Sequence, residues 1–200
     1  MKWIFLLLLL LASIAFADNK EYSGAASVAV GNFLVATPKL MDPRFSKSVV
    51  LIVQYDDDGT MGLIVNFPTK VTLDKAFKDM SELSGTSETL YLGGPVGTEN
   101  MFVLLQTDHA PDKAVSIFKN VYLCPDPTAV ANWASGKSHG TKLRVFAGYA
   151  GWDKSQLESE IMEGNWTVVQ ADPNSIFDTN PSNLWRRLSE QSALIQAALR

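Results

Sequence analysis

The chain has 200 residues, with 17 Lys and Arg against 21 Asp and Glu, a formal net charge of −4, and hydrophobic residues making up 46% of the sequence. This is enough apolar material for one sizeable core. No basic run or Arg-rich helix is present, so the electrostatic footprint of a nucleic-acid binder is missing, and the single cysteine, Cys124, excludes an intrachain disulfide.

The N-terminus reads as a secretory signal peptide over 1–17. Lys2 precedes an apolar run from Trp3 to Leu11, and the small residues Ala15 and Ala17 flank Phe16. Trp3 to Phe16 is shorter than the about twenty residues that a helical span needs, so cleavage between Ala17 and Asp18 is expected rather than a permanent anchor. Loss of Lys2 would make the chain slightly more acidic. Residues 18–200 read as a single exported domain, periplasmic or secreted in a bacterium, because no repeat, low-complexity tract or Pro-rich linker divides them.

Phe33 to Thr37 predicts a first strand, ended by Pro38, and the chain then turns through Met41 to Phe45. Val49, Val50, Leu51, Ile52 and Val53 follow without a polar break, which predicts a central strand covered on both faces. Asp56-Asp57-Asp58-Gly59 supplies turn-capping side chains and a permissive glycine, and Thr60 to Asn66 resumes the apolar pattern, so the two strands form a hairpin. The aspartates lack the alternating ligands and distant Glu of a calcium loop.

Leu73, Ala76, Phe77, Met80 and Leu83 recur at three and four behind Thr72, predicting one amphipathic helix that ends near Gly85. Thr89 to Leu92 is strand-like and runs into Gly93-Gly94-Pro95-Val96-Gly97, and Met101 to Gln106 is a further strand. The glycines lack the Walker spacing and its Lys, so they read as a turn. Val115 to Leu123 is strand-like but mixed, with Cys124 after it as a small buried residue. Asp126-Pro127 predicts the start of a helix that buries Val130, Trp133 and Ala134 and stops at Gly136.

Leu143 to Tyr149 is a strand leading through Gly148 to Trp152. Asp153 and Gln156 then fit a capping pair for a helix that buries Leu157 and Ile161 and closes at Gly164. Trp166 to Ala171 is the last strand. Asn180-Pro181 opens a C-terminal helix with an apolar stripe of Leu184, Trp185, Leu188, Ile195 and Leu199, interrupted by Gln191 and Ser192. Strands and helices interleave irregularly, which predicts α+β.

No reaction centre assembles from motifs. G-x-S-x-G and H-E-x-x-H are absent, and His109 and His139 read as loop residues. No cofactor or metal motif is present. Asp42, Arg44 and Asn66 stand at the ends of adjacent strands, where they could converge with the Gly93-Gly94 turn on a peptide, protein or small polar ligand. The same side chains could instead form an intramolecular network. A hydrolase-like enzyme using Asp42 or His109 as acid or base is the alternative to a non-enzymatic binding or accessory protein.

Four ordered motifs carry a family resemblance: Ala36-Thr37-Pro38 with Asp42-Pro43-Arg44-Phe45, Met61 to Asn66, Leu92 to Val96, and Gly148 to Trp152 with Gln156-Leu157. On these the chain resembles the AlgH/YqgE family from about Gly31 to Trp185. The resemblance implies an α+β fold with a mixed, bifurcated β-sheet closing into a pseudo-barrel flanked by helices, and no established reaction. Family members often carry a transcriptional-regulator label, which the charge of this chain does not support. Phe67 stands where members commonly have Arg, and the export signal is also a departure.

Overall fold

The computed structural model describes residues 27–124, 128–136 and 140–198. The expected signal peptide with its Ala17–Asp18 junction, the Asp126-Pro127 cap, His139 and Leu199 lie outside them. Among the described residues ten strands form one curled, mixed sheet, a half-barrel flanked by helices: β1 (Asn32–Ala36), β2 (Val49–Asp56), β3 (Gly59–Ile64), β4 (Pro68–Thr72), β5 (Thr89–Leu92), β6 (Val96–Gln106), β7 (Val115–Phe118), β8 (Val121–Cys124), β9 (Lys142–Trp152) and β10 (Trp166–Gln170). The main path runs β10-β1-β2-β3-β9-β6-β8-β7, with β4 joined to β5 and β5 joined to β9.

The sheet divides at β9. Antiparallel β6 occupies one of its edges. The other edge is shared: parallel β5 pairs with Val145 to Ala147, and antiparallel β3 pairs with Ala150 to Trp152. Gly93 bridges the gap, donating its N–H to Ala147 O (2.8 Å) and accepting from Ile64 N at the same distance. A Cβ on Gly94 would lie 2.1 Å from the Tyr149 carbonyl carbon, and Gly148 turns the strand at φ +69. The Gly93-Gly94 turn is therefore a backbone crossing that side chains would block.

Pleating sorts the apolar residues. Phe33, Val35, Val49, Leu51, Leu63, Leu104 and Phe146 share one core, closed by Ile176, Leu184 and Leu188. The alternate positions Leu34, Val50, Ile52 and Ile64 face a second cluster beneath α3 (Gln156–Met162). There Glu160 accepts from the indoles of Trp152 (3.1 Å) and Trp166 (2.7 Å), fixing both rings around Phe45. A third cluster joins Val103, Leu105, Leu143 and Val145 to Leu73, Leu83 and Val130.

Two expectations need correction, and one strand is additional. The helix expected from Leu73 to Leu83 is a single turn, α1 (Leu73–Ala76), followed by a 3-10 turn at Ser81–Leu83. The links Met80 N to Phe77 O and Leu83 N to Met80 O repeat at three residues, so a chain of tight turns reproduces the apolar spacing of a helix. The mixed, strand-like stretch from Val115 to Leu123 is a hairpin of β7 and β8, reversing at Lys119 (φ 48). Strand β4 was not expected, because its largely exposed residues lack an apolar alternation.

The other helices are α2 (Thr128–Ala134), α4 (Pro173–Ile176) and α5 (Leu184–Ala198). Leu184 and Leu188 of α5 are buried and the Trp185 indole donates to Ala36 O (2.7 Å), whereas Leu194 and Ile195, beyond the polar break, are exposed. Among the described residues no helix is long and apolar enough to cross a membrane.

The fork sets a graded test. Gly94→Ala forces backbone apart and is expected to cost about 3 kcal/mol or more, whereas Gly136→Ala, at φ +70 with open space around its Cβ position, costs about 1 kcal/mol. Urea unfolding of the two variants measures the difference.

Candidate functional site

Pro43 begins a 3-10 turn (Pro43–Phe45), and the Asp42 carboxylate caps it by accepting from Arg44 N at 2.9 Å. The same carboxylate takes Arg44 Nε at 3.1 Å and Nη2 at 2.6 Å. The Arg44 side-chain hydrogen bond holds Asp42 below its ordinary pKa. The pair satisfies itself at the surface.

Asn66 is turned inward. Its Oδ1 accepts from Val49 N (2.8 Å) and its Nδ2 donates to Lys47 O (2.9 Å), bracing the chain where Lys47 takes the left-handed conformation at φ 59. With Gly93 and Gly94 committed to the fork, the five expected ligand contacts fall into a surface ion pair, a backbone brace and a crossing. None of the five lines the cavities beside Met80, Gly59, Lys154 or Arg144. His109 is exposed in a loop. Among the described residues no group of three or more His, Cys, Asp or Glu could hold a metal ion.

The cavity that combines buried charge with aromatic walls lies elsewhere. It has a volume of about 530 Å³ and is bounded by Glu88, Thr89 and Tyr91 at β5, Lys142 to Arg144 at the start of β9, Trp133 of α2, and Phe177 to Thr179 after α4. Arg144 stands opposite Leu104 in the β6 pairing and is only 8% exposed. Its guanidinium lies over the Tyr91 ring, 4.3 Å from the centroid. Nη2 donates to the carbonyl of Asp178, and Nη1 is closed to solvent with no acceptor among the described residues.

The loop that supplies that carbonyl is held by short-range capping. Asp172 accepts from Ser175 N (3.0 Å) and Ser175 Oγ (2.6 Å) at the start of α4, and the Asp178 carboxylate accepts from Asn180 N (2.9 Å) and Arg187 Nη1 (3.0 Å). The Asn180 N–H is the main cause that holds Asp178 below its ordinary pKa, with Arg187 adding to it. Burial pushes the Tyr91 phenol up and Arg144 down.

Neither Arg144 nor Tyr91 stood out in the sequence. The available signal was the lone charge inside Leu143-Arg144-Val145-Phe146-Ala147, which alternation places on the face shared with Phe146 and Leu104. A buried cation with an unsatisfied N–H can receive an acceptor, and the aromatic walls can hold an apolar group.

A family model described as AlgH-like, a domain of unknown function, matches residues 33–194. A UPF0301 protein of Streptomyces avermitilis is 34% identical over 177 residues, covering 83% of this chain and 89% of the relative. A UPF0301 protein of Xylella fastidiosa is 36% identical over 163 residues, covering 79% and 86%. Among solved structures, protein DIP2367 from Corynebacterium diphtheriae superposes with a TM-score of 0.71 at 23% identity, over 84% of this chain and 88% of that one. The AlgH protein from Pseudomonas aeruginosa gives 0.66 at 28% identity, over 84% and 90%.

Asn66→Ala exposes two inward backbone groups and is expected to cost about 3 kcal/mol. Arg44→Ala, at an exposed pair, shifts the same urea midpoint far less. Asp178 adds a pH signature. Its folded pKa lies below the ordinary 3.8, so its contribution is complete above that value and is lost as the pH falls through the lowered one. The gap in thermal midpoint between the natural chain and Asp178→Asn should be full at neutral pH and close in strong acid; a gap constant with pH would show that the charge is immaterial.

Proposed function

The chain belongs to the AlgH-like family, and from that premise we propose that it acts as an exported, non-enzymatic binding or accessory domain whose ligand seat is the Arg144 cavity. The observation that carries this reading is the unsatisfied Arg144 Nη1. A buried guanidinium loses several kcal/mol of hydration, on the order of what two good partners return, and here one nitrogen has no hydrogen-bond acceptor among the described residues. A ligand acceptor would complete the set.

The neighbouring groups favour binding over catalysis. Asp178 is held more acidic and Tyr91 less acidic than usual, so both move away from the neutral range in which a general acid or base works best. Asp178 is also occupied by Asn180 and Arg187, and the Trp133 indole donates to Thr141 O at 3.1 Å. Export is supported by the Lys2 and Trp3–Leu11 pattern in the sequence.

Two measurements test the reading. A chain recovered outside the cytoplasm of its host should begin at Asp18; an intact Met1 terminus on soluble cytoplasmic protein would remove export. In a small-molecule screen followed by backbone-amide NMR, binders should shift Thr89, Tyr91, Leu143 and Arg144 together. Shifts confined to Asp42, Arg44 and their neighbours would move the seat to the elbow.

A further inference from the structure

We infer that the Arg144 cavity takes a monoanionic carboxylate carrying an apolar group, as a free small acid or as the carboxy terminus of a peptide. This rests on the cavity being the ligand seat and names what would fill it. Arg144 has one donor nitrogen without an acceptor among the described residues, the buried Nη1, because Nη2 is already bound to the Asp178 carbonyl. A small movement of the guanidinium on its flexible stem brings Nη1 to a carboxylate oxygen, where it donates a charge-assisted hydrogen bond.

Charge sets the valence of the ligand. Asp178 is paired with Arg187, so among the described residues that line the cavity Arg144 and Lys142 stand against Glu88, and one positive charge is left in excess. A single negative charge completes the balance, whereas a dianion would be repelled by Glu88 and by the Asp178 carbonyl dipole. Phosphate sites are commonly built from several convergent donors or clustered arginines, and this cavity offers one guanidinium and the Lys142 ammonium, with Glu88 against them.

The walls account for the apolar group. Phe177 lines the cavity, and Trp133 does so with its indole N–H spent on Thr141, so the rest of its surface that meets the cavity is hydrocarbon. The volume falls in the range of small-ligand sites and suits one side chain of aromatic size. Burial of that group supplies affinity, and Arg144 supplies the selection for charge.

The test uses the mature full chain, isothermal titration and amide NMR with four probes: N-acetylphenylalanine, N-acetylphenylalaninamide, phenyl phosphate and the tripeptide Ala-Ala-Phe. The acid should shift Thr89, Tyr91 and Leu143 and bind about tenfold or more tightly than its amide. Arg144→Met should abolish that preference at an unchanged fold. Exposed Glu88→Gln should tighten the acid about two- to threefold by removing a repulsion, and it serves if the Arg144 variant fails to fold. Binding by the tripeptide would support a chain terminus as the source, and binding by the acid without the tripeptide would support a free acid. Equal binding of acid and amide, or tighter binding of phenyl phosphate, at the same amides would overturn the carboxylate assignment and leave the cavity as the seat. No shift at these amides with any probe at millimolar concentration would overturn the seat and the assignment together.

Discussion

The crossing of backbones at β9 is the constraint on which the remaining structure depends. One edge of that strand serves both β5 and β3, and the exchange occurs across Gly93, whose N–H and C=O reach Ala147 and Ile64. Gly94 and Gly148 let the chains approach where any Cβ would overlap a carbonyl. Without that approach the sheet could not divide. With it, the two branches curl around one inner core, and the outer surfaces become separate clusters beneath α3 and beneath α1 and α2.

The site inherits its geometry from the same division. The start of β9 is paired on both edges, by β5 at Val145 and by β6 at Arg144 and Val145, so the Arg144 backbone is held within the sheet. Its side chain points to the inner face, and the capped loop from Asp172 to Asn180 closes over it. A cation–π contact returns about 2 kcal/mol when desolvated and a charge-assisted hydrogen bond about 1.5–3 kcal/mol. Together they barely match the several kcal/mol lost on burial, so stability alone is a weak reason for an arginine at this position.

Legibility in the sequence followed the range of the forces involved. The β2–β3 hairpin was readable because five apolar residues, three aspartates and a glycine state the strand, the turn and its sign locally. Only half of the capping pair expected at Asp153 forms: Gln156 Oε1 accepts from Asp153 N at 3.1 Å, but the helix begins behind Ser155, in the left-handed conformation at φ 66, and no side chain caps its N-terminus. The region from Leu73 to Leu83 was not readable, because helix and successive tight turns share a spacing of three. Arg144 was missed because its importance comes from Tyr91 and Asp178, which are remote in sequence and meet it only after the sheet forks.

The residues that are most conspicuous in the sequence are those that make the backbone possible. Gly62 in Met61 to Asn66 faces Val50, where a Cβ would lie 2.4 Å from a methyl carbon; Leu92 to Val96 carries the crossing; Gly148 to Trp152 is the strand that receives it. Asn66 braces Lys47, and Asp42 caps its own turn. All four motifs of the family resemblance are thus accounted for by tight turns, close approaches and internal hydrogen bonds. Such constraints specify a fold without specifying a ligand, so relatives can share the architecture while each cavity is set by residues outside the motifs. Arg144, Tyr91, Glu88 and Trp133 are residues of that second kind, and the chemistry of this chain is to be sought among them.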